Sequence, residues 1–214
     1  VGRIEVTLHD GTQYVGRLIA RDAETDLALV KITAKQALPV IRCGTSSTLM
    51  RGEPVIAIGN PFGYHHTVTE GIISALHRDI PVNGAQNYPD LIQTDASINP
   101  GNSGGPLLNA DGDMIGINAA VRIGAQGIGF AIPVDRATEV AAEMIAQHRS
   151  NSIDIPVGVS TKHDQGGSRA VVVRTSSDGL RTGDVITAIG DRKIKNRLDF
   201  ELALLGYDAG SNLK

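Results

Sequence analysis

The sequence predicts a mainly β protein built from antiparallel barrels. Short apolar runs recur with turn residues between them, several of these runs alternate apolar with polar residues, and no helical periodicity occurs before residue 133. Strands that follow one another without an intervening helix pair antiparallel, because parallel pairing needs a long crossover connection. We therefore expect antiparallel barrels, one helix after them, and a smaller α+β unit at the end of the chain.

The N-terminal stretch predicts a hairpin followed by a third strand. Asp10 and Gly11 stand between two alternating runs, and this pair is typical of a tight hairpin turn. Asp26 directly precedes the third run, where a rigid strand could aim its carboxylate. The strands expected here are residues 4–8, 14–20 and 27–32.

The middle of the chain predicts a second set of strands. Residues 39–47 break the pattern and predict a passage between two halves, and residues 60–67 and 78–89 are expected to be surface loops. Apolar residues recur every three or four positions over 133–148, which predicts the first helix. Residues 149–152 follow as an expected linker. The strands expected in this part are 54–59, 68–76, 107–109, 114–120 and 127–132.

A second unit begins near residue 153. Three short strand-like runs and one helical run appear in it, separated by Gly-rich turns. The runs are residues 156–159, 170–173, 179–189 and 198–205.

The stretch Gly101-Asn102-Ser103-Gly104-Gly105-Pro106 carries the chemistry. A serine flanked by glycines in a tight turn can expose its hydroxyl while nearby N–H groups converge on one point. Gly101 and Ser103 would then supply oxyanion-hole donors, with Asn102 between them. Because serine is a weak nucleophile, this interpretation requires a histidine base and a carboxylate. The alternative is an ordinary loop, since turns are made of the same residues.

The longer context resembles a known family. Gln93-Thr94-Asp95-Ala96 before the turn and Gly104-Gly105-Pro106-Leu107-Leu108 after it resemble the nucleophile region of chymotrypsin-fold serine proteases, most closely the HtrA branch. Thr25-Asp26-Leu27-Ala28-Leu29 resembles the triad aspartate region. The resemblance covers nearly the whole chain. It implies a chymotrypsin-like double antiparallel β-barrel with Asp26 and Ser103 as catalytic residues.

The resemblance also implies a domain plan. Residues 1–149 would be a trypsin-like protease domain whose N-terminal barrel is truncated, and residues 150–214 a C-terminally incomplete PDZ domain, with Gly179–Ile186 its most specific part. We expect the catalytic histidine upstream of Val1. The six histidines present (His9, His65, His66, His77, His148 and His163) offer no good base. We therefore expect these 214 residues to be inactive alone and the intact protein to be active.

Pocket and substrate contacts follow from the same alignment. The residue six positions before Ser103 is Ser97 and not an acidic residue, so a charged pocket is not supported. Ile98 and Ile117 instead predict a pocket for aliphatic side chains. Asn102 replaces the aspartate that digestive proteases pair with a new N-terminus. A substrate-pairing strand is predicted from Asn118, Ala119, Ala120 and Val121, although an ordinary barrel strand is equally compatible.

In the second unit, Val157, Gly158 and Val159 are predicted to form the turn and strand that capture a peptide C-terminus. The segment 175–178 is shorter than the corresponding PDZ stretch. A basic cluster nearby is expected to be a solvated hairpin face. Its members are Arg192, Lys193, Lys195 and Arg197.

Composition excludes several classes of function. A formal net charge of -3 gives no electrostatic reason to expect nucleic acid as a partner. Cys43 is the sole cysteine, which excludes an internal disulfide and a multi-cysteine zinc site. His65 and His66 have no third ligand at a recognisable spacing. We expect no metal, no cofactor and no membrane-spanning run, so any membrane anchor would lie outside these residues.

The function expected is that of an HtrA-like endopeptidase, which cleaves unfolded or misfolded proteins through an acyl-enzyme on Ser103. The family resemblance implies trimers or larger assemblies in a cell envelope, with a periplasmic location. One alternative is a catalytically silent scaffold that only binds peptides. Another is an α/β-hydrolase esterase, which would need helices between the strands before Ser103, and the sequence has none there.

Overall fold

The computed structural model describes residues 2–60, 67–83, 86–119, 127–150, 157–163, 169–174, 179–205 and 207. The mainly β prediction is confirmed. The strands are β1 Ile4–Thr7, β2 Gln13–Asp22, β3 Leu27–Lys31, β4 Pro54–Gly59, β5 Thr67–Asn83, β6 Gln86–Thr94, β7 Pro106–Leu108, β8 Met114–Ala119, β9 Gly129–Pro133, β10 Val159–His163, β11 Arg169–Val173, β12 Val185–Ile186, β13 Ala188–Ile189 and β14 Arg192–Lys193. The helices are α1 Val134–Ser150 and α2 Arg197–Leu204.

The chain divides into two compact units. Val40–Ala137 form one, called here the barrel unit; Val1–Pro39 and Thr138–Lys214 together form the other, called the split unit. The first division falls inside the passage expected at 39–47, and the second falls within α1. The predicted domains, 1–149 and 150–214, stay a prediction.

The barrel unit is a closed antiparallel barrel with the strand order β4-β5-β6-β9-β8-β7. Alternate residues of its strands point inward and are excluded from solvent, as the pleat of a strand requires. A closed barrel leaves no free strand edge along its wall. The core is formed by Val55, Ala57, Ile73, Ile92, Ala96, Leu107, Ile115 and Ala131.

The prediction of a surface loop at 78–89 is wrong, because the described residues of this segment lie in strands β5 and β6. These two strands pair through several register shifts, and each shift interrupts the alternation by which a strand is recognised in a sequence. His77 and Asp90 adopt left-handed backbone angles, with φ of 56° and 59°. Their side chains meet, with Nδ1 of His77 2.5 Å from Oδ1 of Asp90. Of the loop expected at 60–67, residues 61–66 lie outside the described residues, and Thr67 begins β5.

The hairpin expected at Asp10-Gly11 is confirmed by the pairing of β1 with β2. Gly11 has a φ of 81°, and the Leu8 N–H donates to the Thr12 carbonyl at 2.8 Å. The backbone N–H of Thr12 also donates to the Asp10 carboxylate, which lowers the pKa of that group. β2 then pairs with β3, so the sheet order is β1-β2-β3.

The C-terminal strands form two small sheets, β10-β11-β12 and β13-β14, beside α2. The helix begins after Asn196, whose side chain accepts a hydrogen bond from the Asp199 N–H at 2.9 Å, and Asn is a favoured residue at that position. The helix expected at 198–205 is therefore confirmed one residue earlier. The hydrophobic core between these sheets and α2 is formed by Val171, Ile189, Ile194, Phe200, Ala203 and Leu204.

Helix α1 begins one residue later than expected, because Pro133 still pairs with Gly116 as the last residue of β9. It ends at Ser150, so the linker expected at 149–152 is wrong at its first two residues. Within the described residues, no helix is long and apolar enough to cross a membrane.

Two arginines join α1 to α2 through ion pairs within the split unit. Arg149 donates through Nη2 to Oε2 of Glu201 at 3.0 Å, and these side chains are only 10% and 5% exposed. Arg197 donates to Oε1 of Glu139 at 2.6 Å. The expectation that Arg197 belongs to a solvated face is therefore wrong: its side chain is 22% exposed, and a carboxylate of α1 binds it.

A single carboxylate fixes the start of α1. Oδ2 of Asp135 accepts hydrogen bonds from the Thr45 hydroxyl at 3.0 Å and from the N–H groups of Ser46 at 2.9 Å and Ser47 at 3.0 Å. In return, the Asp135 N–H donates to the Ser46 hydroxyl at 3.1 Å. A negative charge in the first turn also interacts favourably with the helix dipole.

Asp135→Ala is expected to destabilise the protein by about 2 kcal/mol, because three donors lose one charged acceptor. The measurement is urea-induced unfolding of the 214-residue chain. The matched control is Asp111→Ala, an exposed aspartate in the turn after β7, with an expected change within about 0.5 kcal/mol. Equal losses for the two variants would contradict the assignment.

Candidate active site

The nucleophile turn, defined as residues 99–105, connects β6 to β7. Its backbone folds on itself: the Asn102 N–H donates to the Asn99 carbonyl and the Gly105 N–H to the Asn102 carbonyl, both at 2.9 Å. Gly101 and Gly104 have φ of 107° and 83°, a region that side chains disfavour. Ser103 lies between these two glycines and is exposed. The glycines therefore allow the sharp path that leaves the serine at the surface.

The end of β4 holds one side of this turn. The Asn60 N–H donates to the Gly101 carbonyl at 3.1 Å. A Cβ on Gly59 would stand 2.3 Å from Oδ1 of Asn102, and a Cβ on Gly105 would stand 2.1 Å from the Ile58 carbonyl oxygen. Glycine is required at both positions because the two backbones approach too closely for a side chain.

Strand β8 holds the other side through Asn118. Its N–H donates to the Gly105 carbonyl at 2.8 Å, and its carbonyl accepts from the Gly104 N–H at 2.9 Å. The side-chain amide donates to the carbonyls of Ile58 at 3.3 Å and Pro106 at 3.1 Å. Asn118 is 2% exposed and thus ties β4, β7 and the nucleophile turn together from the inside.

Asn102 connects the turn to the segment before it. Its side chain is fully buried, and its Nδ2 donates to the Ser97 carbonyl at 3.1 Å. The Thr69 hydroxyl of β5 donates to the same carbonyl at 3.0 Å. Oδ1 of Asn102 has no hydrogen-bond partner within the described part of the chain. A charged aspartate in this place would bury a carboxylate and lose the bond to Ser97.

Of the three residues predicted for the oxyanion hole, Asn102 uses its N–H inside the turn. An oxyanion hole at this turn would then use the N–H groups of Gly101 and Ser103, as the sequence predicts. That these groups form an oxyanion hole stays a prediction.

Asp26 lies where the sequence places it, directly before β3. It is exposed and has a φ of 57°. The turn that holds it is fixed by Asp22, whose Oδ2 accepts from the N–H of Thr25 at 2.8 Å and from its hydroxyl at 2.5 Å. Asp26 belongs to the split unit and Ser103 to the barrel unit, and their catalytic pairing stays a prediction.

Among the described residues, no group of three His, Cys, Asp or Glu side chains could hold a metal ion.

Comparison with known proteins identifies the family. Residues 1–117 match the trypsin-like peptidase domain. The chain belongs to the trypsin-like peptidase family. A serine protease of Mycobacterium tuberculosis, PepD, is 38% identical over 209 residues, which are 89% of this peptidase chain and 45% of PepD. A Chlamydia muridarum protein named "Probable periplasmic serine endoprotease DegP-like" is 42% identical over 212 residues, or 91% of this chain and 42% of that one.

Solved structures agree with the sequence relatives. The HtrA-type protease AlgW, in complex with a decapeptide, matches this peptidase chain with a TM-score of 0.63 and 39% identity, over 94% of this chain and 66% of AlgW. The resemblance to HtrA proteases that the sequence indicates is therefore confirmed. The peptidase chain spans about half the length of HhoB of Synechocystis sp., with which it is 41% identical.

The predicted pocket residues of the peptidase lie in the barrel unit. Ile98 is half-buried and packs against the barrel core. A Cβ on Gly129 would stand 2.5 Å from Cγ1 of Ile98. The side chain of Ile98 therefore packs against the backbone of Gly129 at the start of β9. Ile117 is half-buried in β8, between Pro106 of β7 and Ile132 of β9. That these isoleucines line a pocket for aliphatic side chains stays a prediction.

The predicted substrate strand is described only in part. Asn118 and Ala119 end β8, and Ala119 pairs with Phe130. Ala120 and Val121 lie outside the described residues. Both backbone groups of Asn118 already form hydrogen bonds with the nucleophile turn. Any contact of Asn118 with substrate would therefore be additional to these bonds. The predicted peptide-capturing residues Val157 and Gly158 precede β10, and Val159 begins it.

The sequence did not indicate two residues that support the site. Thr69 gives no signal because strand threonines are common and its bond to Ser97 is not local. The supporting role of Asn118 was also missed, although a polar residue in an otherwise apolar buried strand is a recognisable sign of a hydrogen-bonded position.

Proposed function

We propose that the intact protein is an HtrA-type serine endopeptidase that uses Ser103 as its nucleophile. The observation that supports this most is the nucleophile turn, which exposes Ser103 while β4 and β8 hold the backbone on both sides. A surface turn of this construction is rigid where an ordinary loop is not. The family match and the HtrA-type relatives support the same reaction.

The proposed reaction is acyl transfer. Oγ of Ser103 attacks the peptide carbonyl and gives its proton to a histidine, which we expect upstream of Val1, while Asp26 orients the imidazole. The N–H groups of Gly101 and Ser103 stabilise the negative oxygen that forms. The C–N bond then breaks, the imidazolium protonates the leaving amine, and water hydrolyses the serine ester. This chain alone would lack the base and would be inactive.

The C-terminal part of the split unit would act as a PDZ domain. Val157, Gly158 and Val159 would bind a peptide carboxylate, and the peptide would add to the edge of β10. Support comes from the sheet order, in which β10 is an outer strand, and from α2, which packs beside it. We propose unfolded proteins as substrates. A periplasmic location rests on the names of the DegP-like relatives, and assembly into trimers or larger forms rests on the family resemblance alone.

Labelling with a fluorophosphonate probe tests the proposal. In the protein extended through its upstream reading frame, we expect a covalent adduct on Ser103, located by mass spectrometry, and no adduct in Ser103→Ala. The 214-residue chain should label far more weakly. If the extended protein remains unlabelled while it cleaves no unfolded casein, it is a silent scaffold and the endopeptidase proposal is wrong.

A further inference from the structure

A cavity of about 380 Å³ lies against the small sheet of the split unit. Two basic residues, three hydroxyl residues, two valines and a glycine line it, and none of its described lining residues is acidic. The lining residues are Ser160, Thr161, Lys162, Val172, Val173, Arg174, Thr182 and Gly183.

Both basic residues stand on the same face of this sheet. Ser160 pairs with Val172 across β10 and β11, and side chains two residues apart on a strand share a face. Lys162 and Arg174 are therefore on the face of Ser160 and Val172. They are exposed, and neither forms an ion pair with the described residues. Two positive charges, neither of them paired with a described acidic residue, thus stand at the two ends of one surface.

The residue between Arg174 and the edge of the sheet is a glycine. The Arg174 N–H donates to the Gly158 carbonyl at 2.7 Å, which places the two residues side by side. Gly158 has no side chain, so it places no side-chain atoms between Arg174 and the edge. Lys162 is already on the edge strand. Both charges can therefore reach a chain that is added next to β10.

One acidic group near this sheet, Glu139, is already paired. Glu139 of α1 accepts from the Thr161 hydroxyl at 3.4 Å, and its other oxygen binds Arg197 at 2.6 Å. Its charge is therefore compensated on the opposite face of β10, where Thr161 points. On the other face, Lys162 forms no ion pair with the part of the chain that the structure describes.

We propose that the edge of β10 selects extended acidic peptides, whose carboxylates alternate onto the face of Lys162 and Arg174. This inference rests on the proposed peptide binding and adds its charge preference. In a peptide paired with an edge strand, every second side chain faces the same way. If the last peptide residue stands opposite Val159, the outward residues are those one and three positions before it. Glutamates at these two places lie beside Ser160 and Lys162.

Three fluorescent ten-residue peptides with free C-termini test this, with binding to the 214-residue chain measured by anisotropy. The first peptide has Glu at the positions one and three residues before its last residue. The second has Glu at the positions two and four residues before its last residue. The third has Gln at all of these positions. We expect the first to bind about three- to tenfold more tightly than the others, because only its glutamates share the face of Lys162, with the difference fading at high salt. Lys162→Glu should abolish this preference.

The matched control is Lys193→Glu, which changes the net charge equally at an exposed position of β14 and should leave the preference intact. Equal affinity of all three peptides would overturn the charge preference but leave peptide binding in place. If none of the peptides binds, the proposed peptide binding fails, and the charge preference fails with it. If the preference for acidic peptides survives in both Lys162→Glu and Arg174→Glu, its origin lies elsewhere in the protein and the proposal is wrong.

Discussion

Gly105→Ala is expected to destabilise the barrel unit by about 3 kcal/mol, the upper part of the range for forcing atoms into a packed site. The new Cβ would stand 2.1 Å from the Ile58 carbonyl oxygen and 3.0 Å from the Asn102 carbonyl oxygen. Both contacts are with backbone, which can move only if β4 and the nucleophile turn separate. Urea-induced unfolding of the 214-residue chain measures the loss, and the extended protein should also lose fluorophosphonate labelling at Ser103.

Gly112→Ala is the control for this experiment. Gly112 has a φ of 78°, so alanine is disfavoured there by about 1 to 2 kcal/mol, but no atom stands within 4 Å of its hypothetical Cβ. Gly105 has no such angle. If backbone conformation alone decided the cost, Gly112→Ala would be the more harmful change. We expect the reverse order, and a smaller loss for Gly105→Ala would contradict the close approach of β4 to the turn.

Glu201→Ala is expected to cost about 3 to 5 kcal/mol, because it removes the buried carboxylate that binds the guanidinium of Arg149. The Arg149 side chain is 10% exposed, so water cannot replace the lost carboxylate oxygen fully. Urea denaturation of the 214-residue chain measures the loss.

A double variant separates pairing from packing at this contact. Arg149→Met combined with Glu201→Leu removes both charges and keeps apolar bulk, and its stability should lie close to that of the parent chain. The exposed pair of Arg3 and Glu5 provides the matched control, since these side chains are 70% and 58% exposed, and Glu5→Ala should cost at most about 1 kcal/mol. A double variant as unstable as Glu201→Ala would contradict the explanation that the loss comes from the buried charge of Arg149.

The strands of the fold were predictable wherever local pattern decides them. Asp10-Gly11 specifies its hairpin by turn chemistry, and the apolar residues of α1 specify a helix by their spacing. The pairing of β5 with β6 was not predictable, because its bulges break the alternation near His77 and Asp90. The continuation of α1 to Ser150 was missed for a related reason: the ion pair between Arg149 and Glu201 is a contact between residues far apart in sequence.

At the candidate site, the sequence identified the residues of the turn but not what fixes them. Glycines around Ser103 are a local signal, and the structure gives Gly101 and Gly104 the backbone angles that glycine permits. The need for Gly59 depends on Asn102, which is distant in sequence. The pairing of Asp26 with Ser103 remains a prediction from family resemblance.

The bonds that fasten the nucleophile turn to β4 and β8 are mostly made by main-chain atoms, Asn60 to Gly101 and Asn118 to Gly104 and Gly105. Main-chain atoms are the same whatever side chain a residue carries. Mutations that reshape the surface around Ile98 can therefore accumulate without displacing the serine oxygen. In the proposed endopeptidase, such a scaffold would let new cleavage preferences evolve while the hydroxyl of Ser103 keeps its position.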